Sequence, residues 1–111
     1  MKIKQFEIWL ANLNPAKGTE PGKVRPVVIV QTDLLNESHP SLIICPITTN
    51  VLPESELLRV HLNEGQLEVL SDILVDQIRA IDKKRLISKL GELTSSQADR
   101  LGENIKIVLD L

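Results

Sequence analysis

Aromatic side chains are nearly absent from this chain. Phe6 and Trp9 are the only two among 111 residues, and there is no tyrosine. Many proteins that bind single-stranded nucleic acid stack the bases on aromatic side chains, and many peptide-binding modules line their grooves with them. Two aromatic residues are too few for either arrangement, so any ligand is expected to be recognised through hydrogen bonds and charge.

Residues that commonly hold metals or form disulfides are also scarce. The single cysteine, Cys45, lies in an apolar segment, cannot form an internal disulfide and has no CxxC partner. We interpret it as a buried core residue, because free cysteine is among the most buried residue types. His39 and His61 stand apart from any acidic cluster with ligand spacing, so no metal and no other cofactor is expected. Because His61 alternates with apolar residues beside Arg59, it is predicted to be exposed.

Long apolar runs are missing as well. The longest extend over four to six residues, whereas a membrane-spanning helix needs about 20. The start of the chain has no apolar stretch of signal-peptide length. We therefore expect no membrane segment and a cytoplasmic protein. With 42% hydrophobic residues, residues 1–111 are expected to form one domain around one core.

Charge is unevenly distributed. The net charge of −2 and the pI near 5.7 argue against a protein that coats nucleic acid through bulk electrostatics. Residues 1–25, however, carry five basic and two acidic side chains, and residues 79–89 carry five basic side chains and one acidic side chain. Such clusters are often only solvated faces. For the second cluster, that interpretation and a binding role remain equally open.

The hydrophobic pattern predicts a mainly β (α+β) fold. Apolar residues alternate at Phe6, Ile8 and Leu10, with the period of a strand. Further strands are predicted at about 25–31, 41–47, 58–62, 69–80 with a break at 71–72, and 87–90, with a polar connection over 33–40 and a turn at 82–84. Because five or six short strands cannot safely leave their edges open, we expect a strongly bent sheet or a small barrel.

The end of the chain has a helical pattern. Thr94 and Gln97 have the spacing of a capping box, which begins a helix. The apolar residues that follow, Leu101, Ile105 and Val108, share one helical face. This pattern predicts a C-terminal amphipathic helix that packs on the sheet or in a dimer interface.

Two strands end in polar groups suited to phosphate chemistry. A loop over residues 17–26 leads into an apolar strand and carries Glu20 and Arg25. The next strand ends in two hydroxyls, Thr48 and Thr49. A rigid sheet holds such groups in fixed positions. A carboxylate, a guanidinium and a hydroxyl held in this way favour an anionic ligand.

Several motifs together resemble the MazF/PemK family of toxin endoribonucleases. They are Glu7-Ile8-Trp9-Leu10, Asn14-Pro15-Ala16-Lys17-Gly18-Thr19-Glu20, Arg25-Pro26-Val27-Val28-Ile29-Val30, Pro46-Ile47-Thr48-Thr49 and Asp76-Gln77-Ile78-Arg79-Ala80-Ile81-Asp82. The resemblance implies a small SH3-like barrel of five to seven strands with a C-terminal α-helix, acting as a homodimer. It also implies sequence-specific, metal-independent cleavage of single-stranded RNA and inhibition by a cognate MazE-like antitoxin.

The resemblance also suggests which residues form the site. The predicted catalytic residues are Arg25, Thr48 and Glu20, and the predicted RNA-binding residues are Lys17, Lys23, Thr49, Asp76, Gln77 and Arg79. Two positions depart from the family pattern: Phe6 stands where a glycine is common, and Leu74 stands where some members have an arginine. A role that needs this arginine must be absent or filled by another group, such as Arg79.

The chemistry of RNA cleavage assigns each group a role. A ribonuclease that uses the 2'-OH as nucleophile must remove its proton and stabilise the charge that develops on the phosphate. Arg25 suits the second task, because its planar fork pairs with two phosphate oxygens. Thr48 can position a phosphate oxygen or the 2'-OH. Glu20 can act as the base only if desolvation raises its pKa more than Arg25 lowers it.

Other interpretations remain open at this stage. Glu20 and Arg25 can form a simple surface ion pair, and the two threonines can serve only to end a strand. Asp76 and Gln77 can pair with backbone at the sheet edge. The whole chain can also be a CcdB-like toxin that poisons DNA gyrase, although it lacks the aromatic C-terminal tail of those proteins. A third alternative is a non-catalytic SH3-like binding module. Base specificity is expected from loops 12–24, 33–40 and 49–57.

Overall fold

The computed structural model describes residues 2–14, 18–19 and 23–111. Two α-helices and two short 3₁₀ turns accompany a sheet of seven strands. The strands are β1 (Glu7–Asn12), β2 (Val24–Ile29), β3 (Ser41–Thr48), β4 (Arg59–Leu62), β5 (Ser71–Leu74), β6 (Arg79–Asp82) and β7 (Leu86–Glu92). The helices are α1 (Asp33–Asn36) and α2 (Ser95–Leu109), and the 3₁₀ turns cover Val75–Gln77 and Lys83–Arg85.

All strand pairs are antiparallel, in the order β4-β5-β3-β2-β1-β7, with β6 paired to β3 beside this path. The predicted mainly β fold with a C-terminal helix is confirmed. The path does not close into a barrel, because β4 and β7 end it without pairing to each other among the described residues. β5 and β6 pair with successive stretches of β3, at residues 47–48 and 41–44.

The sheet has an apolar cluster on each face, because successive strand residues point to opposite sides. Val27 and Ile44 belong to one cluster, and Val28, Cys45 and Leu101 belong to the other. This two-sided burial explains the continuous apolar runs at residues 27–29 of β2 and 42–47 of β3. Cys45 is fully buried, as predicted. Burial, with a smaller contribution from Asp76, raises the pKa of its thiol to about 12, so Cys45 stays protonated at neutral pH.

The second cluster is covered by α2, which begins at the predicted capping box. Thr94 Oγ1 accepts a hydrogen bond from the Gln97 backbone at 3.2 Å, and Gln97 Oε1 accepts one from the Thr94 backbone at 3.0 Å. Leu101 is fully buried in the cluster, and Ile105 and Val108 pack against it. No helix in the described part of the chain has both the length and the apolar character to cross a membrane.

Two sequence-based boundaries need correction. The predicted polar connection over 33–40 contains α1, whose first turn is capped by the Thr32 hydroxyl, which accepts from the Leu34 backbone at 3.3 Å. The predicted fifth strand is two strands, and the break falls at Val75–Gln77 instead of 71–72. Ser71 and Asp72 stay in β5 because β4 pairs with both of them.

Phe6 keeps a backbone conformation that favours glycine. Its φ is 70°, in the left-handed region that residues with a Cβ atom rarely adopt. Hydrogen bonds fix it there: its N–H donates to the Ile29 carbonyl at 2.7 Å, and its carbonyl accepts from the Leu93 N–H at 3.0 Å. The absence of the family's glycine therefore leaves the left-handed turn in place.

Candidate active site

Arg25 and Thr48 lie together on neighbouring strands. The register of β2 and β3 pairs Val27 with Pro46, and its continuation by two residues sets Arg25 opposite Thr48. Arg25 Nη1 lies 3.5 Å from the carbonyl oxygen of Ile47, in agreement with that register. Because directly opposite residues project from the same face, the guanidinium and the hydroxyl share one side of the sheet.

A surface groove of about 400 Å³ lies near the start of β2 and the end of β3. Its lining residues are Pro26, Thr49, Gln66, Leu67, Glu68, Val69, Ser71 and Leu90. Neither Arg25 nor Thr48 lines it. Pro26 follows Arg25 in β2 and therefore points to the opposite face of the sheet, and Thr49 follows Thr48 at the end of β3. Arg25 and Thr48 are each half-buried. The sequence-based prediction of base-reading loops did not include residues 66–69, which form one wall.

The base of the loop before β2 is fixed by backbone geometry. Lys23 has a φ of 69°, its N–H donates to Asn14 Oδ1 at 2.6 Å, and its carbonyl accepts from the Leu13 N–H at 2.8 Å. The residue is exposed, which suits the predicted contact with an anionic ligand. Lys17 and Glu20 lie outside the described residues, so their predicted roles stay predictions.

The 3₁₀ turn after β5 and strand β6 carry the remaining predicted RNA-binding residues, Asp76, Gln77 and Arg79. Asp76 and Gln77 belong to the 3₁₀ turn between β5 and β6, and Arg79 pairs with Ile44 in the register of β6 and β3. Ile44 precedes Thr48 by four strand residues, a distance of about 13 Å. Asp76 is exposed and Gln77 is half-buried. At this distance Arg79 is placed to contact a neighbouring part of an extended ligand and not the group that Arg25 and Thr48 hold.

One charged cluster was missed by the sequence analysis, and the prediction for His61 was wrong. The His61 side chain is only 26% exposed, and its Nδ1 donates to Asp72 Oδ1 at 2.7 Å. Asp72 Oδ2 accepts from Arg59 Nη1 at 3.1 Å and from the Leu52 N–H at 2.8 Å. The alternation in β4 was read correctly, but the loop between β3 and β4 covers the face that carries His61.

The pKa values of this cluster follow from its contacts. Hydrogen bonding to Asp72 raises the pKa of His61 above its ordinary 6.5, against the opposing effect of burial, and the nearby Glu56 adds to the rise. Burial alone would raise the pKa of Asp72, but the hydrogen bonds from Leu52, His61 and Arg59 outweigh it and bring the pKa below 3.8. A charged histidine–carboxylate pair therefore persists at mildly acidic pH.

An arginine does lie beside position 74. Leu74 pairs across the strands with Arg59, whose Nη1 donates to the Asn50 carbonyl at 2.9 Å as well as to Asp72. This guanidinium is therefore engaged in holding the loop. Arg79, the substitute suggested from sequence, has a buried Nη1 with no hydrogen-bond partner among the described residues.

Two curated relatives match nearly the whole chain. It is 34% identical over 113 residues to the Endoribonuclease EndoA of Bacillus subtilis (strain 168), covering 100% of this chain and 97% of that protein. It is 36% identical over 111 residues to the Endoribonuclease MazF of Staphylococcus epidermidis, covering 98% and 92%.

Solved structures share the fold. MazF from Deinococcus radiodurans superposes with a TM-score of 0.86 at 21% identity, covering 98% of this chain and 97% of that chain. A MazE-MazF complex from the same organism gives 0.79 at 18% identity, with coverage of 98% and 97%. The model of the PemK-like, MazF-like toxin of type II toxin-antitoxin system matches residues 4–109. The chain therefore belongs to the PemK-like, MazF-like family of type II toxin–antitoxin toxins.

Proposed function

We propose that this chain is a sequence-specific, metal-independent endoribonuclease that cleaves single-stranded RNA and acts as the toxin of a type II toxin–antitoxin pair. The observation that carries the proposal is the pairing of Arg25 and Thr48 on one face of the sheet. Membership of the toxin family and similarity to two named endoribonucleases support it.

Arg25 stabilises the phosphate during cleavage. When the 2'-OH attacks the adjacent phosphorus, negative charge develops on the non-bridging oxygens, and a fixed guanidinium stabilises this charge more than it stabilises the ground state. β2 supplies the fixed position, because its register with β1 pairs Arg25 with the fully buried Ala11. A guanidinium also stays charged at every working pH.

Thr48 positions the reacting groups. Its Oγ1 accepts a hydrogen bond from the Asn50 N–H at 3.1 Å, which leaves the hydroxyl hydrogen available for a phosphate oxygen or for the 2'-oxygen. The hydroxyl does not titrate in the working range, so it contributes orientation and not proton transfer. Thr48 is thus assigned a positioning contact and Arg25 an electrostatic one.

Glu20 is proposed as the base that removes the 2'-OH proton. This assignment rests on the sequence and on the family motif, because Glu20 lies outside the described residues. The products follow from the chemistry: attack by the 2'-oxygen forms its bond to phosphorus, the bond to the 5'-oxygen breaks, and that oxygen takes up a proton. The upstream fragment then ends in a 2',3'-cyclic phosphate and the downstream fragment in a 5'-hydroxyl.

The RNA lies along the face of the sheet that carries Arg25 and Thr48. Thr49, which follows Thr48 at the end of β3, contacts the nucleotide next to the scissile phosphate, and Lys17 and Lys23 attract the RNA to the loop before β2. Asp76, Gln77 and Arg79 are proposed to contact nucleotides about two positions away, given the distance of about 13 Å along β3. Few aromatic residues are available for stacking, so the bases are read through hydrogen bonds.

The partners are also proposed from the family. A MazE-like antitoxin is expected because family members are toxins of type II pairs, and the Deinococcus radiodurans relative has been solved with MazE. A homodimer and a cytoplasmic location complete the proposal. A monomer in sedimentation at micromolar concentration would contradict the dimer.

The test is cleavage of a long unstructured RNA by the purified chain in the presence of EDTA, with the ends mapped. We expect cuts at one short recurring sequence, a 2',3'-cyclic phosphate upstream and a 5'-hydroxyl downstream. A DNA of the same sequence serves as the matched control, because it lacks the 2'-OH. Equal cleavage of the DNA, or no cleavage of any RNA, would overturn the proposal.

A further inference from the structure

Thr48 begins a row of polar side chains that crosses three strands. The register of β3 and β5 pairs Thr48 with Asp72, and the register of β5 and β4 pairs Asp72 with His61. Directly opposite residues in antiparallel strands have Cβ atoms about 5 Å apart on the same face. Asp72 therefore lies next to Thr48, and His61 lies on its far side.

Asp72 is a buried carboxylate whose two oxygens are both hydrogen-bonded. Its side chain is 1% exposed, and three donors reach it: His61 Nδ1 at 2.7 Å, the Leu52 N–H at 2.8 Å and Arg59 Nη1 at 3.1 Å. A buried carboxylate costs free energy unless it is hydrogen-bonded in this way. The three donors come from β4 and from the loop between β3 and β4, so Asp72 ties this loop to the sheet.

The same network reaches the Thr48 hydroxyl. Arg59 Nη1, which donates to Asp72, also donates to the Asn50 carbonyl at 2.9 Å. The Asn50 N–H in turn donates to Thr48 Oγ1 at 3.1 Å. Asp72 thus holds Leu52 directly and holds Asn50 through Arg59. The orientation of the Thr48 hydroxyl depends on where Asn50 is held.

We propose that Asp72 is a positioning residue for RNA cleavage, which fixes the loop after Thr48, and that protonation of His61 strengthens this hold. The inference rests on the proposed function for its catalytic consequence. Asp72 does not touch the substrate, because it is buried beneath the loop. It acts through Leu52, Arg59 and Asn50 on the hydroxyl of Thr48.

The charges around His61 set the direction of its effect. Asp72 and Glu56 are the acidic groups, with Glu56 Oε1 3.5 Å from His61 Nε2. Arg59 contacts Asp72, and Arg100 from α2 contacts Glu56 Oε2 at 3.0 Å. Hydrogen bonding to Asp72 raises the pKa of His61 above 6.5. The charged pair is therefore complete below pH 6.5 and is lost as the pH rises through the pKa of the folded protein.

The experiment compares Asp72→Asn, His61→Gln and a control, Glu7→Gln, in the full chain. Glu7 is also a buried, ion-paired carboxylate, but it lies at the start of β1, four residues before the partner of Arg25, Ala11. Three quantities are measured between pH 6 and pH 9: the single-turnover cleavage rate, the affinity for an uncleavable RNA with a 2'-deoxy group at the cut site, and amide hydrogen exchange at Asn50 and Leu52.

For Asp72→Asn we expect a rate about ten-fold lower, because small misplacements of reacting groups are costly, with RNA affinity within about two-fold of wild type and faster exchange at Asn50 and Leu52. For His61→Gln we expect the wild-type rate to exceed the variant rate at pH 6 and to approach it by pH 9. Glu7→Gln should leave both the rate and the exchange at Asn50 and Leu52 unchanged.

A wild-type rate in Asp72→Asn, unchanged exchange at Asn50 and Leu52, or an equal rate loss in Glu7→Gln would overturn the inference. A constant ratio of wild-type to His61→Gln rates across the pH range would remove the part assigned to His61. Failure of the wild-type chain to cut RNA would overturn the proposed function and, with it, the catalytic role of Asp72. If the wild-type chain cuts RNA and the results for Asp72→Asn still go against expectation, the inference fails and the proposed function stands.

Discussion

Arg25 Nη1 lies 3.5 Å from the carbonyl oxygen of Ile47, the residue directly before Thr48. The contact joins the start of β2 to the end of β3 and brings a permanent cation to the residue that carries the proposed positioning hydroxyl. Two groups that are 23 positions apart in the sequence are thereby held by one pair of strands. The roles assigned to them lead to separate expectations for each.

The hydroxyl of Thr48, and not its bulk, is expected to matter. Thr48→Val keeps the branched shape and removes the hydroxyl, so the single-turnover cleavage rate should fall about 10- to 100-fold, the scale of one hydrogen bond to a charged group. Thr48→Ser keeps the hydroxyl and should stay within about three-fold of wild type. Equal rates for Thr48→Val and wild type would show that Thr48 only ends the strand.

Stability should depend on His61 at mildly alkaline pH. Because the pKa of His61 is raised in the folded chain, its contribution is fully present below pH 6.5 and is lost as the pH rises through the folded pKa. The wild-type free energy of unfolding should fall by about 1 kcal/mol between pH 6 and pH 9, the scale of a partly exposed ion pair. Urea unfolding of His61→Gln should show no such decrease, and an identical decrease in the variant would contradict the assignment.

Glu7 is expected to stabilise the start of β1. Its side chain is 8% exposed, its Oε1 accepts from the Lys4 N–H at 2.8 Å and from Trp9 Nε1 at 3.1 Å, and its Oε2 pairs with Lys89 at 2.8 Å. Burial would raise the pKa of Glu7, but these hydrogen bonds bring it below 4.5. The contribution is therefore present above pH 4.5 and is lost as the pH falls through the folded pKa.

Glu7→Gln should lower the free energy of unfolding at pH 7 by about 1 to 3 kcal/mol, because an amide cannot satisfy all the donors that the carboxylate accepts. Urea unfolding followed by the fluorescence of Trp9 measures the change. Glu92→Gln is the matched control, since Glu92 pairs with Glu7 across the strands but is exposed. Equal effects of the two substitutions would contradict the role given to Glu7.

At position 6 we expect a glycine variant to be more stable than an alanine variant, the reverse of the usual order. At most positions alanine is more favourable than glycine, but a Cβ atom at a φ of 70° is strained. Both variants lose the packing of Phe6 against the second apolar cluster, so the difference between them isolates the backbone. Phe6→Gly should be about 1 kcal/mol more stable than Phe6→Ala in thermal unfolding. The opposite order would show that the left-handed turn relaxes.

Local sequence patterns were sufficient for much of the fold. The alternation of apolar residues identified most strands, and the spacing of Thr94 and Gln97 located the start of α2, because both signals depend only on nearby residues. Arg25 and Thr48 stay predicted site residues; the sequence singles them out because each lies at a strand end, next to an apolar run. The family motifs then associated the two groups with one reaction.

The Asp72 cluster could not be found in this way. His61 and Asp72 meet only because β4 and β5 pair in one register. The connection between these strands contains the turn residues Asn63 and Gly65, but at eight residues it is too long for turn type to fix that register. Apolar alternation placed His61 opposite the core residues correctly, but it carries no information about a loop that folds over the same face. The division at Val75–Gln77 was missed for a similar reason. It is set by pairing with β3, because β5 and β6 pair with different stretches of that strand.

The central claim is that Arg25 stabilises the phosphate during RNA cleavage. The most direct measurement is the single-turnover cleavage rate of Arg25→Lys and Arg25→Ala on one RNA in EDTA, with the ends mapped. We predict that Arg25→Ala loses about 10²- to 10³-fold in rate, and that Arg25→Lys recovers only a small part of this loss because lysine lacks the planar fork. Undiminished cleavage at the same sites by Arg25→Ala would contradict the account.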